Sequence, residues 1–357
     1  MILKAPYAKK PAFFLLLVLF VLSWTSMQVP GEEIITYPAD LSEAFPGLKL
    51  AEIAGLIQKG DSTFILESYN HRILAIKDGK IVHQIGGIGQ GKGEFYYPRD
   101  FAIDNKINFY VFDFVGRGIN RVQCLDPGGK YLAGFNAESR AWGFAVDSSY
   151  HVLLGTPTLK VVVTEYDTLG KRLAGFGKLV LPSEIYGDKY ESSDKYYTIP
   201  MNRVNIAVDK DDNVWLSFLF MPLVLKYDKK GNLLFKKVID LPGLEPVKKA
   251  LWKPGSKEAK DYLSMNLDGI QMPVIIKDII YNESQSTFYL LLGNDTILVM
   301  SPTGEYRYLI KPLFAGGTIE KFFLLGTGEI IVRFFYHPEC YRLKVRYPDK
   351  NKKLEEK

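Results

Sequence analysis

The sequence predicts an all-β protein built from repeated four-stranded units. Three segments align without gaps, and each ends in an aspartate: Phe101–Asp104, Phe144–Asp147 and Ile206–Asp209. A second apolar segment follows each of them after four residues, which is the spacing of two antiparallel strands joined by a tight turn. Alternating large and small apolar residues favour strands buried between neighbouring sheets, and the Asp is typical of the turn between them.

A recurring turn after the third strand gives the number of units. An Asp or Ser opens this turn because its side chain can accept backbone hydrogen bonds, and a Gly closes it because Gly tolerates positive φ. The copies are Asp126–Gly129, Asp167–Gly170, Asp228–Gly231 and Ser301–Gly304, with Lys77–Gly79 as a shorter version. Six units result, beginning near Leu50, Pro98, Ala141, Arg203, Ile275 and Ile319.

Six such units predict a six-bladed β-propeller whose ring is closed by a strand from the N-terminal side. The last unit shows only three strands, at Lys321–Leu325, Glu329–Phe335 and Cys340–Arg346. We therefore expect Glu33–Tyr37 to supply its fourth strand. This closure removes the free edges that an open ring would leave.

The segment 85–113, a glycine run followed by Phe95, Pro98 and two strands, resembles the NHL-repeat family of six-bladed β-propellers, which is related in architecture to TolB-like propellers. In that family a glycine-rich run joins one blade to the next. The resemblance therefore favours a blade connection over a phosphate-binding loop at 86–93. No helix can begin at the following Glu-Phe-Tyr-Tyr-Pro, so a phosphate would have no helix N-terminus to bind.

Two further segments resemble the acid-x-x-Asn-x-Arg turn of the same family. They contain Glu67, Asn70 and Arg72 in the first unit, and Asp113, Asn120 and Arg121, with a longer loop, in the second. Our interpretation is structural: in each turn the Arg pairs with the acid across two adjacent strands.

The N-terminal residues 1–29 read as a signal peptide or a membrane anchor. Lys4, Lys9 and Lys10 precede an apolar run, and no further charge occurs before Glu32, which is the layout of an export signal. We expect the propeller to occupy residues 32–346 and a charged tail residues 347–357. The location is then extracytoplasmic, with membrane contact only through an uncleaved anchor. The mature chain keeps 42 basic against 40 acidic residues, so no nucleic-acid partner is expected.

Two insertions, Leu179–Ile199 and Asp240–Met272, make their units longer than the others. Successive turn glycines are 41, 61 and 73 residues apart, and the excess falls after a fourth strand each time. Connections after strands two and four emerge on one face of a blade. We therefore expect both insertions beside the loops Tyr69–His71, Phe114–Gly118 and Tyr336–Pro338. A short helix is predicted at Lys257–Leu267.

The candidate ligand-binding residues lie on this face. Those just ahead of the innermost strands, which should point towards the channel mouth, are Arg99, Asp100, Arg140, Trp142, Arg203 and Asn205, together with Lys277 and Asp278. The loops add His71, Arg117 and His337. The arginines either form a cationic funnel for an anionic group or pair with neighbouring acids. The histidines lack metal-ligand spacing, and no metal, other cofactor or catalytic residue is predicted.

The leading hypothesis is an exported binding or scaffolding module that presents its loop-rich face to a protein, peptide or glycan. The insertion tyrosines suit such recognition; they are Tyr186, Tyr190, Tyr196 and Tyr197. The alternative is a propeller hydrolase or lyase, lactonase-like or amidating-lyase-like, with a metal in the channel. Cys124 and Cys340 fall in the third strands of blades separated by a whole blade. We therefore predict two free thiols.

Overall fold

The chain is a six-bladed β-propeller. The computed structural model describes residues 35–137, 141–187, 198–240, 264–267, 270–293, 295–312, 318–326, 328–335, 337 and 339–346. The predicted leader and tail, Arg140, and the tyrosines 190, 196 and 197 lie outside these residues. Within them, no helix is long and apolar enough to cross a bilayer.

Four blades are antiparallel four-stranded sheets in simple sequence order, and the other two share an eight-stranded sheet. The first strand of the described chain is β1 (Ile35–Glu43). Blade one contains β2 (Ile53–Lys59), β3 (Ser62–Glu67), β4 (Arg72–Lys77) and β5 (Lys80–Gly86). Blade two contains β6 (Pro98–Ile103), β7 (Phe109–Phe114), β8 (Asn120–Leu125) and β9 (Tyr131–Ala137). Blade three contains β10 (Phe144–Val146), β11 (Val152–Gly155), β12 (Val163–Tyr166) and β13 (Arg172–Phe176).

A five-residue helix, α1 (Pro182–Tyr186), precedes blade four, which contains β14 (Val204–Val208), β15 (Val214–Phe218), β16 (Leu223–Tyr227) and β17 (Leu233–Val238). A separate hairpin contains β18 (Ser264–Leu267) and β19 (Ile270–Pro273). Blade five contains β20 (Ile276–Asn282), β21 (Thr287–Leu292), β22 (Ile297–Met300) and β23 (Tyr306–Pro312). Blade six contains β24 (Ile319–Leu324), β25 (Ile330–Phe334) and β26 (Cys340–Val345). Each innermost strand contacts the next around the ring, including β24 against β2.

The N-terminal strand closes the ring, but with different residues from those predicted. Residues 39–43 of β1 pair antiparallel with β26 and so complete blade six. Residues 35–39, which include most of the predicted Glu33–Tyr37 strand, instead pair in parallel with β23 of blade five. Ala39 takes part in both pairings and is completely buried. A small side chain at the crossing lets one strand join the outer edges of two blades.

The aspartates that end the innermost strands organise the turns that follow them. In blade two, one oxygen of Asp104 accepts hydrogen bonds from the backbone N–H groups of Lys106 and Asn108, each at 2.8 Å. Asp147 and Asp209 make the same pair of bonds in blades three and four. These carboxylates satisfy backbone donors that no strand partner reaches. The repeated Asp is therefore explained by local turn geometry.

The glycines that close the later turns are needed for blade packing as well as for positive φ. Gly170 has φ +85°, and a Cβ there would overlap Phe135, which lies on the outer strand of the preceding blade. Gly231 and Gly304 bear the same relationship to Phe176 and Phe235, and a Cβ at Gly129 would make a tight contact with Ile85 at 3.0 Å. The closing turns of blades two to five thus pack against the outer strand of the preceding blade. This contact explains why the same residue type recurs at the blade period.

The insertions differ from their predictions where the structure describes them. Residues 264–267 form a strand, so the helix expected at Lys257–Leu267 is wrong there, and residues 257–263 lie outside the described part. The strand pairs with residues 270–273. Asp-Gly stands between the two strands in sequence, a dipeptide that favours a two-residue hairpin. In the first insertion, Asn202 accepts from the N–H of Val180 and donates to its carbonyl, which joins the two ends of the insertion.

Both cysteines are free and buried, as their strand positions predict. Cys124 lies on β8 in the core between blades two and three, and Cys340 lies on β26 in the core between blades six and one. Burial raises the pKa of both thiols, that of Cys340 to about 12.

Candidate ligand-binding site

A cavity of about 480 Å³ lies at one mouth of the central channel. Its walls come from the starts of the innermost strands and from the ends of the second strands of the blades. These are the ends of the blades from which the connections after strands two and four emerge, so the cavity lies on the face that carries the insertions. A volume of this size falls in the range of small-molecule pockets.

Four innermost strands begin with the same irregularity. A shift in register occurs between Pro98 and Asp100, and equivalent shifts occur at Ile53/Gly55, Ile276/Asp278 and Ile319/Lys321. Such a bulge twists the strand and redirects a side chain at its end. Here it places Asp100, Asp278 and Lys321 at matching positions around the cavity.

Aromatic side chains and four cations line the rest of the wall. The aromatic residues are Tyr97, Phe112, Trp142, Phe144 and Phe335, and the cations are Arg99, Lys277, Lys321 and Arg333. The four lining acids are Glu52, Asp100, Asp278 and Glu320. Among the described lining residues, aromatic rings therefore lie beside equal numbers of acidic and basic side chains.

The cations are already engaged by the protein. Arg333, with a side chain only 4% exposed, pairs with Glu320 at 2.7 Å and with Glu52 at 3.4 Å. Lys277 donates to Asp295 at 2.5 Å and to the Ile319 carbonyl at 2.7 Å.

Lys321 and Arg99 are engaged in other ways. The ammonium of Lys321 donates to the carbonyl of Ala54 at 2.7 Å, which links blade six to blade one. The guanidinium of Arg99 lies over the Phe114 ring, 5.1 Å from its centroid. Burial lowers the pKa of Arg99 and also that of Lys277, although Asp295 opposes the shift at Lys277.

Asp100 and Asp278 differ from the other acids of the cavity. Each accepts a hydrogen bond from the backbone N–H of the following residue, at 2.9 and 2.8 Å. Neither has a cationic group within 4.0 Å in the described part of the chain. Burial raises the pKa of both carboxyls. Asp278 reaches a pKa of about 7, with the neighbouring charge of Asp100 raising it further and Lys321 opposing the shift.

The sequence-predicted residues fall into two groups. Arg99, Asp100, Trp142 and Asn205 line the cavity, as do Lys277 and Asp278. Arg203 does not line it but lies over the Trp142 ring, 5.4 Å from its centroid. Arg117 is an exposed loop residue with φ 51° and is not part of the wall. Of the three arginines predicted at the channel mouth, Arg99 and Arg203 thus contact aromatic rings, and Arg140 lies outside the described residues.

The loop histidines His71 and His337 do not line the central cavity. His337 borders a neighbouring cavity of about 400 Å³ together with Tyr69 and Arg333. The Nδ1 atom of His71 is buried and has no partner in the described part of the chain.

One group of residues has the spacing of metal ligands in the described part of the chain. It consists of Asp147, His151 and Glu165, at the ends of the blade-three strands that lie away from the cavity. His151 already contacts Glu165 there, at 2.6 Å. Chelation by this group therefore competes with an existing hydrogen bond.

The two acid–arginine turns are structural, as interpreted from the sequence. Glu67 is completely buried and accepts from Arg72 at 2.5 Å across β3 and β4. Asp113 pairs with Arg121 in the same way across β7 and β8.

The glycine run before blade two is held by Arg121. Its guanidinium donates to the carbonyls of Gln90 and Glu94 at 2.5 and 2.6 Å. Several amides of the run also have internal acceptors: those of Gly91 and Gly93 bond to Glu94 and Gln123. These bonds agree with a blade connection and leave fewer amides for a phosphate.

Comparison with known proteins agrees with the architecture. A family profile described as a 6-bladed beta-propeller matches residues 49–121. No curated protein matches the sequence. A presumed exported protein of Bacteroides fragilis NCTC 9343 has a similar structure, with TM-score 0.54 and 13% identity over 89% of this chain and 100% of that one.

A second similar structure is a catalytically inactive variant of virginiamycin B lyase from Staphylococcus aureus with quinupristin. It has TM-score 0.52 and 11% identity, and the match covers 87% of this chain and 89% of that one. The selenomethionine form of the same lyase gives TM-score 0.50 at the same identity and coverage. Similarities at this level of identity establish the fold.

Several cavity residues are absent from the sequence-predicted set. Glu320 and Lys321 occupy in blade six the positions that Lys277 and Asp278 occupy in blade five. Alignment of the sixth unit with the fifth would therefore have identified them. Arg333 lies on a second strand, and the equivalent residues of blades one, two and five are the uncharged Leu66, Phe112 and Leu291. No repeated pattern marks it.

Proposed function

We propose that this protein is an exported binding propeller, and that it recognises a polar group of a peptide or glycan in the cavity at its loop-rich face. The observation that carries this proposal is the cavity itself. Three of its cations, Lys277, Lys321 and Arg333, are held by protein acceptors, while two carboxyls, Arg99 and several aromatic rings remain as contact surface. Preformed pockets with few polar groups and much aromatic wall are typical of ligand-binding sites.

The location outside the cytoplasm rests on the N-terminal sequence. Three lysines and an apolar run precede the propeller, in the order that export signals have. The structural similarity to a presumed exported protein is consistent with this reading. Fractionation of cells that express the full chain tests it, with the protein expected outside the cytoplasm.

Binding is tested with a panel of short peptides and oligosaccharides, by thermal shift and then by calorimetry. We expect at least one compound that stabilises the wild-type protein but not Trp142→Ala, because Trp142 forms part of the cavity wall. Leu159→Ala is the control on the same face, since Leu159 is 83% exposed in a connection after a second strand and does not line the cavity. Lys230→Glu is the control on the opposite face.

Comparison of ligand binding by these three variants locates the binding site. Loss of binding with Trp142→Ala alone supports the cavity. Loss with Leu159→Ala but not with Trp142→Ala moves the site to the outer loops and contradicts the proposal. Loss with Lys230→Glu moves it to the turn side of the ring.

A hydrolase or lyase is the second candidate, and Asp278 is the observation that favours it. A carboxyl with a pKa near 7 beside a second carboxyl can take up and release a proton at neutral pH. The version with a channel metal is tested by metal analysis of the purified protein. One tightly held divalent ion per chain, lost in Asp278→Asn, would favour the enzyme.

A further inference from the structure

Asp100 and Asp278 leave acceptor capacity in the cavity, and among the lining cations Arg99 alone, with its guanidinium over the Phe114 ring, has no hydrogen bond to an acceptor in the described residues. An ionised carboxylate offers about four acceptor positions, and each of these groups accepts one backbone N–H bond. The lining ammonium groups of Lys277 and Lys321 are bonded to protein acceptors. A ligand that brings a positively charged donor therefore complements the two carboxyls best.

A second observation concerns a hydrogen-bond donor in the cavity wall, the guanidinium of Arg333. The Nε atom of Arg333 is buried without an acceptor in the described residues, although the other nitrogens of the guanidinium pair with Glu52 and Glu320. A buried donor without a partner is costly. A ligand with an acceptor close to its positive group could use this capacity. Because two carboxylates already surround Arg333, a neutral carbonyl suits the position better than a further carboxylate.

We propose that the cavity binds the amino terminus of a peptide, with the α-ammonium between Asp100 and Asp278 and the first side chain against the aromatic wall. This inference rests on the proposed function, because it names the ligand class of the same cavity. The sequence pattern of arginines allowed an anionic ligand. The proposed ligand instead carries a positive charge. A raised pKa at Asp278 agrees with a carboxyl that gains a partner when the ammonium arrives.

Three matched probes test the ligand chemistry by isothermal titration calorimetry at pH 7. They are the peptide Phe-Gly-Gly-amide, the same peptide with an acetylated amino group, and free phenylalanine. The free peptide should bind at least about tenfold more tightly than the acetylated one, the factor expected when a charge-assisted hydrogen bond is lost. It should also bind more tightly than free phenylalanine, whose carboxylate meets Glu52 and Glu320. Acetyl-lysine-amide, with a free side-chain amine, distinguishes a lysine source from an amino terminus.

Variants of the two aspartates test whether their carboxyls cause the difference in affinity between the free and the acetylated peptide. Asp278→Asn and Asp100→Asn should each weaken binding of the free peptide at least about tenfold, while leaving the weak binding of the acetylated peptide unchanged. Asp61→Asn is the control, because Asp61 is an exposed acid paired with Lys77. Thermal melting of each variant confirms that it folds.

The outcomes separate this inference from the proposed function. Equal binding of free and acetylated peptides, or full binding by Asp278→Asn, overturns the amino-terminus assignment. If an acetylated peptide or a glycan binds and Trp142→Ala abolishes that binding, the binding function stands without the ammonium. Tighter binding of acetyl-lysine-amide than of the free peptide assigns the site to a lysine side chain and contradicts the proposal. If no peptide or glycan of either panel binds, both fail.

Discussion

Arg121 and Asp113 lie opposite each other on β8 and β7, and one carboxylate oxygen accepts from Nε at 3.0 Å and from Nη2 at 2.8 Å. Asp113 is completely buried, and its two oxygens also accept from the backbone N–H groups of Tyr96 and Tyr97. The pair therefore joins the end of β7, the second strand of blade two, to the connection that arrives from blade one. The acid–arginine motif of blade two is therefore a joint between blades.

Arg121→Gln should lower the free energy of unfolding by about 3–5 kcal/mol, because it leaves a buried carboxylate without its counter-charge. It also removes the donors to the carbonyls of Gln90 and Glu94. Arg346→Gln is the control: its pair with Asp40 is exposed, so a loss below about 1 kcal/mol is expected. Urea unfolding followed by tryptophan fluorescence measures both, and equal losses would contradict a structural role for Arg121.

Gly170→Ala should destabilise the protein more than a glycine substitution at an open turn. Both the positive φ and the contact with Phe135 disfavour a Cβ, so a loss of several kcal/mol is expected from strain and overpacking together. Gly79→Ala is the matched control, because Gly79 has φ +71° but nothing lies within 4 Å of the position that its Cβ would take. About 1 kcal/mol is expected there. Similar unfolding midpoints for the two variants would show that the contact with Phe135 accommodates a methyl group at little cost, and would contradict the prediction.

The blade order could be predicted because each blade repeats local chemistry. The Asp turns satisfy backbone donors within four residues, and the closing glycines make the same contact with the preceding blade at each repeat. The double pairing of β1 could not be predicted in this way, since its partners β23 and β26 lie near the other end of the chain. Long-range pairing of an outer strand depends on which edges the finished ring leaves open.

The cavity was partly predictable for the same reason. Residues ahead of the innermost strands follow the repeat, so Asp100, Asn205 and Asp278 could be placed near the channel from sequence alone. Their charge states could not, because they depend on which cations other blades supply. Arg333 and Glu320 neutralise each other within blade six, and this leaves the two aspartates as the acids without an ion-pair partner in the described part of the cavity.

Both cysteines should be unreactive in the folded protein and reactive after unfolding. Cys124 and Cys340 are 5% and 4% exposed, and burial raises the pKa of each thiol. The reactive thiolate is therefore scarce at pH 8. Titration with a chromogenic disulfide reagent should detect little thiol in native protein and two thiols per chain in guanidinium chloride. Detection of no thiol after unfolding without reductant would indicate a disulfide and contradict the blade assignment.

A chain that begins at Ser42 should be less stable than one that begins at Ile34. The shorter form loses the whole parallel pairing with β23 and most of the antiparallel pairing with β26, so the outer edges of blades five and six are left open. Both forms lack the leader, which makes them a matched pair. We expect a lower melting temperature and more concentration-dependent association for the shorter form. Identical melting curves would contradict the closure by β1.

Asp278→Asn should stabilise the unliganded protein at pH 8 relative to wild type, and less so at pH 5. The pKa of Asp278 is raised to about 7 in the folded state against an ordinary value of 3.8, so between these values the folded chain holds a proton that the unfolded chain releases. The unfolding free energy of wild type therefore falls as pH rises through this window. Asparagine carries no charge to desolvate, and the gain at pH 8 should be on the order of 1–3 kcal/mol.

The control for this pH dependence is Asp61→Asn. Hydrogen bonding and the charge of Lys77 lower the pKa of Asp61, so its ionised form favours the folded state and its removal should give no gain at pH 8. Urea midpoints of wild type and both variants at pH 5 and pH 8 complete the comparison. If Asp278→Asn loses stability at pH 8, the carboxylate has a favourable partner in the folded chain, and the spare acceptor capacity assigned to the cavity is wrong.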